Sequence, residues 1–137
     1  MPGNAIPIFS KIGKIGQAPA ITLANTAKDG TGTVDVVFTA DATNGSFIQK
    51  LKIRPKGTNV ASVMRIFINN GGATTTATNN VLFDEITLPA TTLSEVAAIA
   101  GFEYGMNFAL PASYKVFVTL GTAVAGGYAV TGIGGDY

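Results

Sequence analysis

The strongest constraint on the fold is a two-residue alternation of apolar and polar side chains that recurs along most of the chain. In the segment 64–69 every second residue from Met64 is large and apolar, and in the segment 114–120 the same holds from Tyr114. A period of two places alternate side chains on opposite faces of a β-strand. Val, Ile, Phe, Tyr and Thr dominate these segments and are favoured on a pleated sheet. The pattern therefore predicts an all-β protein.

Turn-forming residues divide this pattern into candidate strands. Asn44-Gly45 and Asn70-Gly71 are examples of the Asn-Gly pairs that favour tight turns. Short strands at regular spacing predict an antiparallel β-sandwich, and eight of them fit a jelly roll. An immunoglobulin-like sandwich also fits, because strand number does not fix connectivity. The candidate strands are residues 20–24, 33–40, 46–55, 60–69, 81–88, 102–110, 114–120 and 127–133.

The N-terminal residues differ in composition from the rest. Pro and Gly recur among residues 1–18 at a density that opposes a long helix. Large apolar residues between them would be exposed on an unsupported tail, so we predict an extended arm over 1–18 that orders against a partner. A disordered terminus is the alternative. A single β-sandwich domain is expected over 19–137. The expected partner-contact residues of the arm are Ile6, Ile8, Phe9, Lys11, Ile12 and Lys14.

The surface is expected to be poor in charge. Hydrophobic residues make up 47% of the chain and charged residues only 12%, about half the usual share. Such a composition suits a protein that covers part of its surface with neighbours, and it favours a homo-oligomer. The net charge of +1 gives no broad basic surface for nucleic acid, so no nucleic-acid partner is expected.

The first residues lack the continuous apolar stretch of a signal peptide, and no apolar run reaches the length of a membrane span. We therefore expect that the protein is made in the cytoplasm and does not associate with a membrane.

The residues that usually perform catalysis are largely missing. The chain has no histidine and no cysteine, which removes imidazole bases, Ser-His-Asp triads and the usual zinc ligands. Asp84 and Glu85 are adjacent and therefore point to opposite faces of a strand, unlike the facing carboxylates of a glycosidase. We interpret them as rim charges or as partners for Arg65. The sequence thus predicts no enzyme activity, no catalytic residues, no cofactor and no metal site.

Two further features bear on binding. Lys50, Lys52 and Arg54 share one side of a strand, which indicates a solvated face or a protein contact rather than a phosphate-binding surface. Phe67 and Phe117 fall out of phase with the apolar faces of their strands and are candidates for a second buried surface, for example between subunits. The long loop at 71–80 contains only small and polar residues.

Three segments resemble small structural proteins of tailed phages and prophages: residues 54–71, residues 82–92 (LFDEITLPATT) and residues 108–137. A protein of this type is similar in kind to capsid decoration (cement) proteins. It implies a non-enzymatic virion protein that stabilises the phage head by bridging shell subunits. The implied partners are the major capsid protein and further copies of the chain in a homotrimer, and the implied location is the virion. A tail- or fibre-associated module that binds a receptor or carbohydrate is the alternative.

Overall fold

The computed structural model describes residues 9–137, and this part of the chain forms two four-stranded antiparallel sheets. The prediction of an all-β fold is confirmed, and the arrangement is that of a β-sandwich. The strands are β1 (Ile12–Ile21), β2 (Asp35–Thr39), β3 (Ser46–Pro55), β4 (Ser62–Asn69), β5 (Asn80–Leu88), β6 (Phe102–Leu110), β7 (Lys115–Leu120) and β8 (Tyr128–Asp136).

The strand order is β1-β8-β3-β6 in the first sheet and β2-β7-β4-β5 in the second. Strands that are distant in the sequence are therefore neighbours, as in the antiparallel pair β1·β8. In each sheet two strands remain at the edges: β1 and β6 in the first, β2 and β5 in the second.

The core lies between the sheets and follows the predicted alternation. Met64 and Ile66 on β4, and Val116 and Val118 on β7, are fully buried. Burying one such side chain stabilises the fold by about 1.5–3 kcal/mol before entropy is counted. The remaining core members come from both sheets and include Ile48, Leu51, Ile53, Leu88, Leu120, Tyr128 and Val130.

Strand β1 begins earlier than predicted. Residues 12–18 were assigned to the arm, but they are part of the first sheet, where Ile12 pairs with Asp136 of β8. The glycines of this segment lower its β propensity and hid the strand from sequence reasoning. Gly16 is required there, because a Cβ atom at this position would overlap the carbonyl oxygen of Val37 on β2.

β-Bulges shift the alternation in two other strands. The register of β2 changes between Val36 and Phe38, so that Val37 and Phe38 are both buried. The register of β3 changes between Ile48 and Lys50, so that Ile48, rather than Phe47, joins the core side. One extra residue in a strand reverses the side chains that follow it.

The second buried surface lies on the outside of the second sheet. Phe67 and Phe117 are fully buried and stacked, with ring centroids 5.0 Å apart and an interplanar angle of 8°. Gly30 of the β1–β2 connection lies against the Phe117 ring, since a Cβ atom there would be 2.9 Å from Cζ. The cover is therefore the chain's own connection and not a neighbouring subunit.

Candidate interaction surfaces

The described residues hold no group of three or more carboxylates that could bind a metal ion. None of the helices in that part of the chain has the length and apolar character needed to cross a membrane.

A polar network ties the first strand to the end of the chain. The Ser46 hydroxyl donates to the Asp136 carboxylate, and the Lys14 ammonium lies 3.1 Å from the same carboxylate. Lys14 also sits 5.7 Å from the centre of the Phe38 ring. Ser46 is fully buried, so this hydroxyl is a structural tie between β3 and β8. Lys14, an expected partner-contact residue, is thus engaged inside the domain.

The other predicted contact residues of the described chain are exposed. Phe9 is 77% exposed and Ile12 65%. Ile15, which is not one of the predicted contact residues, is 64% exposed. These three residues are called the N-terminal apolar surface below. This surface wraps around the edge strand β1, because Ile12 and Ile15 are three residues apart in a regularly paired stretch and so lie on opposite faces of the sheet. Lys11 is exposed as well, while its backbone N–H donates to the carbonyl of Asp136 at 2.8 Å. Ile6 and Ile8 lie outside the described residues.

The N-terminal apolar surface continues onto the outside of the first sheet. Ile15 is directly opposite Ile133 of β8, and Ile133 is opposite Lys50 of β3. Phe9 also lines an open cleft together with Ser10, Phe47 and Tyr137. Apolar side chains therefore extend across three neighbouring strands at this end of the sheet.

Lys50, Lys52 and Arg54, called the basic row below, lie on the outside of the first sheet, as predicted. Glu103 of β6 is within 3.3 Å of the Lys50 ammonium and 3.9 Å of the Lys52 ammonium. Ion pairs this exposed contribute little to stability, about 0–1 kcal/mol at most. Their effect is electrostatic, because one carboxylate offsets part of the positive charge of the row.

A second exposed surface lies where the edge strands β5 and β6 face each other. Val81 is 64% exposed, Phe83 43% and Leu82 37%. The Phe83 ring reaches the first sheet and meets Phe108 edge to face, with centroids 5.5 Å apart. Aromatic pairs with this geometry are favourable beyond the area they bury.

Asp84 and Glu85 take different roles on β5. The Asp84 carboxylate accepts hydrogen bonds from the Tyr104 hydroxyl at 2.6 Å and from the Glu85 backbone N–H at 2.7 Å. The Tyr104 bond and then the backbone bond lower the pKa of Asp84. Burial, followed by the Asp84 bond, raises the pKa of Tyr104 to about 12. Glu85 instead pairs with Arg65 at 3.0 Å, as the interpretation of these acids expected.

A third surface is built from loops at one end of the sandwich. Asn59 is buried, and its side chain accepts from the Gly127 N–H at 2.8 Å and donates to the Gly127 carbonyl at 3.2 Å. Its backbone pairs with Thr91 of the β5–β6 connection. The loops held in this way expose aliphatic side chains to solvent. These are Val60, Leu93 and Val96, with exposures of 57%, 52% and 97%.

The loop at 71–80 is held by its own amide side chains. The Asn79 side chain donates to the Ala73 carbonyl at 3.0 Å, and the Asn80 side chain donates to the Thr74 carbonyl at 2.8 Å. The loop also contains a short 3₁₀ turn at Ala77–Asn79. The loop offers threonine hydroxyls and methyl groups, and it contains no aromatic residue on which a sugar ring could stack.

All three exposed surfaces are apolar and are positioned by strand pairing or by hydrogen-bonded loops. They are suited to contact with another protein surface, because desolvating them costs little. No protein-family model, no curated protein and no solved structure matches this chain.

Proposed function

We propose that this chain is a non-enzymatic structural protein of a tailed-phage virion, a capsid decoration protein that acts as a homotrimer and bridges subunits of the head. The observation that carries the proposal is the N-terminal apolar surface. Phe9, Ile12 and Ile15 are each more than 60% exposed, although Ile12 and Ile15 belong to a paired strand of the domain. Large apolar groups exposed on both faces of an edge strand favour a contact with another protein.

The low charge and the sequence resemblance support the same proposal. Only 12% of the residues are charged, which suits a protein whose surface is covered in an assembly. The segments 54–71, 82–92 and 108–137 resemble tailed-phage structural proteins and include β4, most of β5, β7 and β8. The resemblance therefore covers framework strands in both sheets.

We also propose that the sandwich is a jelly roll. Four antiparallel pairs support this connectivity: β1·β8, β2·β7, β3·β6 and β4·β5. These pairs are nested, as in one long hairpin that turns between β4 and β5 and then rolls up into two sheets. Jelly rolls are common among viral capsid and lectin domains, which is compatible with a virion protein.

The proposed mechanism is burial of apolar area between neighbouring shell subunits. If about 1,000 Å² of apolar surface is covered, the gross gain is on the order of 25 kcal/mol. Most of this gain is cancelled by association and ordering costs, but many copies on one shell multiply what remains. The major capsid protein is the proposed partner. Because Lys14 is engaged with Asp136, we assign the contact to Phe9, Lys11, Ile12 and Ile15, with Ile6 and Ile8 preceding them.

The test is an add-back experiment on phage particles that lack the chain. Particles purified from a deletion strain are mixed with the purified protein and sedimented, and the bound protein is quantified by mass spectrometry against the major capsid protein. We expect a fixed ratio for the unaltered chain and loss of binding for the double variant Ile12→Lys/Ile15→Lys. The matched control is Leu93→Lys/Val96→Lys, which places the same charges on the exposed loops and should bind normally.

The position of the bound protein separates the two functional classes. Electron microscopy of the add-back particles should show added density on the head. Density confined to the tail would favour the receptor- or carbohydrate-binding alternative, and absence of the chain from particles would refute a virion function. Deletion of residues 1–16 is not a suitable variant, because it removes the first half of β1.

A further inference from the structure

The outer edge of β5 is a potential site for pairing with another chain. Within the described residues β5 pairs only with β4, and Val81, Leu82 and Phe83 beside this edge are exposed. A long edge strand with apolar side chains is a ready template for β-pairing between molecules. Proteins that retain such an edge commonly block it.

The sequence of β5 contains two features that block edges. The register places Asp84 opposite Ile66 and Leu82 opposite Phe67, so Phe83 is an extra, bulged residue. Asp84 lies on the core-facing side of the sheet, because residues directly opposite each other share a face and Ile66 is in the core. A bulge and an inward-pointing charge on an edge strand both disfavour pairing with a further strand.

The Asp84 carboxylate also accepts a hydrogen bond from a backbone N–H of its own strand. The Glu85 N–H donates to the Asp84 carboxylate at 2.7 Å, so this N–H is not free for a carbonyl from another chain. The second carboxylate oxygen accepts the Tyr104 hydroxyl at 2.6 Å and is thereby fixed against β6 of the facing sheet. The carboxylate is therefore held in the position where an added strand would have to bind.

We propose that Asp84 blocks the β5 edge against antiparallel pairing with β5 of a second copy of the chain. A second copy is the favoured occupant because two identical edges can pair about a two-fold axis with the same exposed apolar residues on each side. Such a pair also brings Asp84 and Glu85 of both copies together, and like charges across a strand pair are destabilising. Asp84 thus opposes the pair by capping a donor and by charge. This inference is independent of the proposed virion function.

The experiment compares Asp84→Ala with Glu95→Ala in the full chain. Glu95 is an exposed acid in the β5–β6 connection, so both variants change the net charge equally. Static light scattering over a concentration series should show at least a two-fold rise in mass for Asp84→Ala and the unaltered mass for Glu95→Ala. Hydrogen exchange of β5 amides in Asp84→Ala should slow as the mass rises. A folded Asp84→Ala protein with the unaltered mass at every concentration would overturn the proposal.

A second variant separates strand pairing from loss of folding. Val81→Lys in the Asp84→Ala background places a charge on an exposed position of the same edge and should restore the unaltered mass. Association that persists in this double variant would show that it does not use the β5 edge, which also overturns the proposal. Asp84→Asn keeps an acceptor for the Glu85 N–H and should associate less than Asp84→Ala. Equal association of these two variants would contradict the capping role.

Discussion

The sandwich has two lateral sides, each formed where an edge strand of one sheet lies beside an edge strand of the other, and different contacts hold each side together. Where β1 faces β2, Gly16 lies against the backbone of Val37 and Phe38, and Gly132 of the neighbouring β8 lies against the Val37 carbonyl and the Phe38 side chain. Where β5 faces β6, two side-chain contacts span the gap, the Phe83–Phe108 ring pair and the Tyr104–Asp84 hydrogen bond. The first side is closed because glycines let the strands approach closely, and the second is closed by contacts between side chains.

This difference determines which changes each side tolerates. Backbone-to-backbone contact leaves no space for a Cβ atom, so the β1–β2 side is sensitive to the addition of a single methyl group. Side-chain contacts at an exposed edge can be removed with a smaller loss, because water can enter and the strands keep their ladder partners. The β1–β2 side is therefore rigid, and the β5–β6 side is where small changes alter surface behaviour.

The largest expected effect is that of Gly16→Ala. Its Cβ atom would overlap the Val37 carbonyl oxygen and force β1 and β2 apart, at a cost of about 3 kcal/mol in the free energy of unfolding. The matched control is Gly13→Ala on the same strand, where an added Cβ has no neighbour within 4 Å. Urea unfolding should show a large fall in the midpoint for Gly16→Ala and almost none for Gly13→Ala. Similar midpoints for the two variants would contradict the close contact between β1 and β2.

A smaller effect is expected from the Phe83–Phe108 pair. The interaction energy from a double-mutant cycle with Phe83→Ala and Phe108→Ala should be about 1 kcal/mol, the usual magnitude for an edge-to-face pair. A second cycle that combines Phe83→Ala with Phe102→Ala on the same strand β6 should give a value near zero. Equal interaction energies in both cycles would mean that the rings are not specifically coupled.

The sequence predicted strands best where alternation and turn signals agree. The predicted segments 46–55 and 102–110 coincide with β3 and β6, each of which is flanked by turn-forming residues. The start of β1 was missed because Gly13 and Gly16 are poor strand formers. The requirement for Gly16 arises from β2, a separate strand of the facing sheet, and this contact leaves no trace in the local pattern.

The candidate surfaces were less predictable than the strands. Phe9 and Ile12, two predicted arm contacts, are exposed, but Lys14 is half-buried and pairs with Asp136 at the opposite end of the chain. The role of Asp84 depends on a bulge at Phe83 and on Tyr104 in the other sheet. Single-strand patterns carry no information on such pairings, so the alternation could assign faces but not partners.

The smallest expected effect compares one aspartate on each side of the sandwich. On the β5–β6 side, hydrogen bonds from Tyr104 and the Glu85 N–H lower the pKa of Asp84. The unfolded chain then binds a proton at higher pH than the folded chain, so the stability from Asp84 is complete above about pH 4 and is lost as the pH falls. On the β1–β2 side, burial raises the pKa of Asp35. Ionised Asp35 therefore lowers stability at neutral pH, and protonation at acidic pH relieves this cost.

The two asparagine variants should consequently shift stability in opposite directions. At pH 7, Asp84→Asn should lower the urea midpoint and Asp35→Asn should raise it, although both remove one negative charge. Both differences should shrink as the pH falls, because each aspartate becomes protonated in the folded and unfolded chains alike. Folded Asp84, whose pKa is lowered, is protonated at a lower pH than folded Asp35, whose pKa is raised. Each variant is the control for the other, because an effect of net charge alone would move both midpoints in the same direction. Shifts of the same sign at pH 7 would mean that the two sides do not provide the different environments described, hydrogen bonds at one and desolvation at the other.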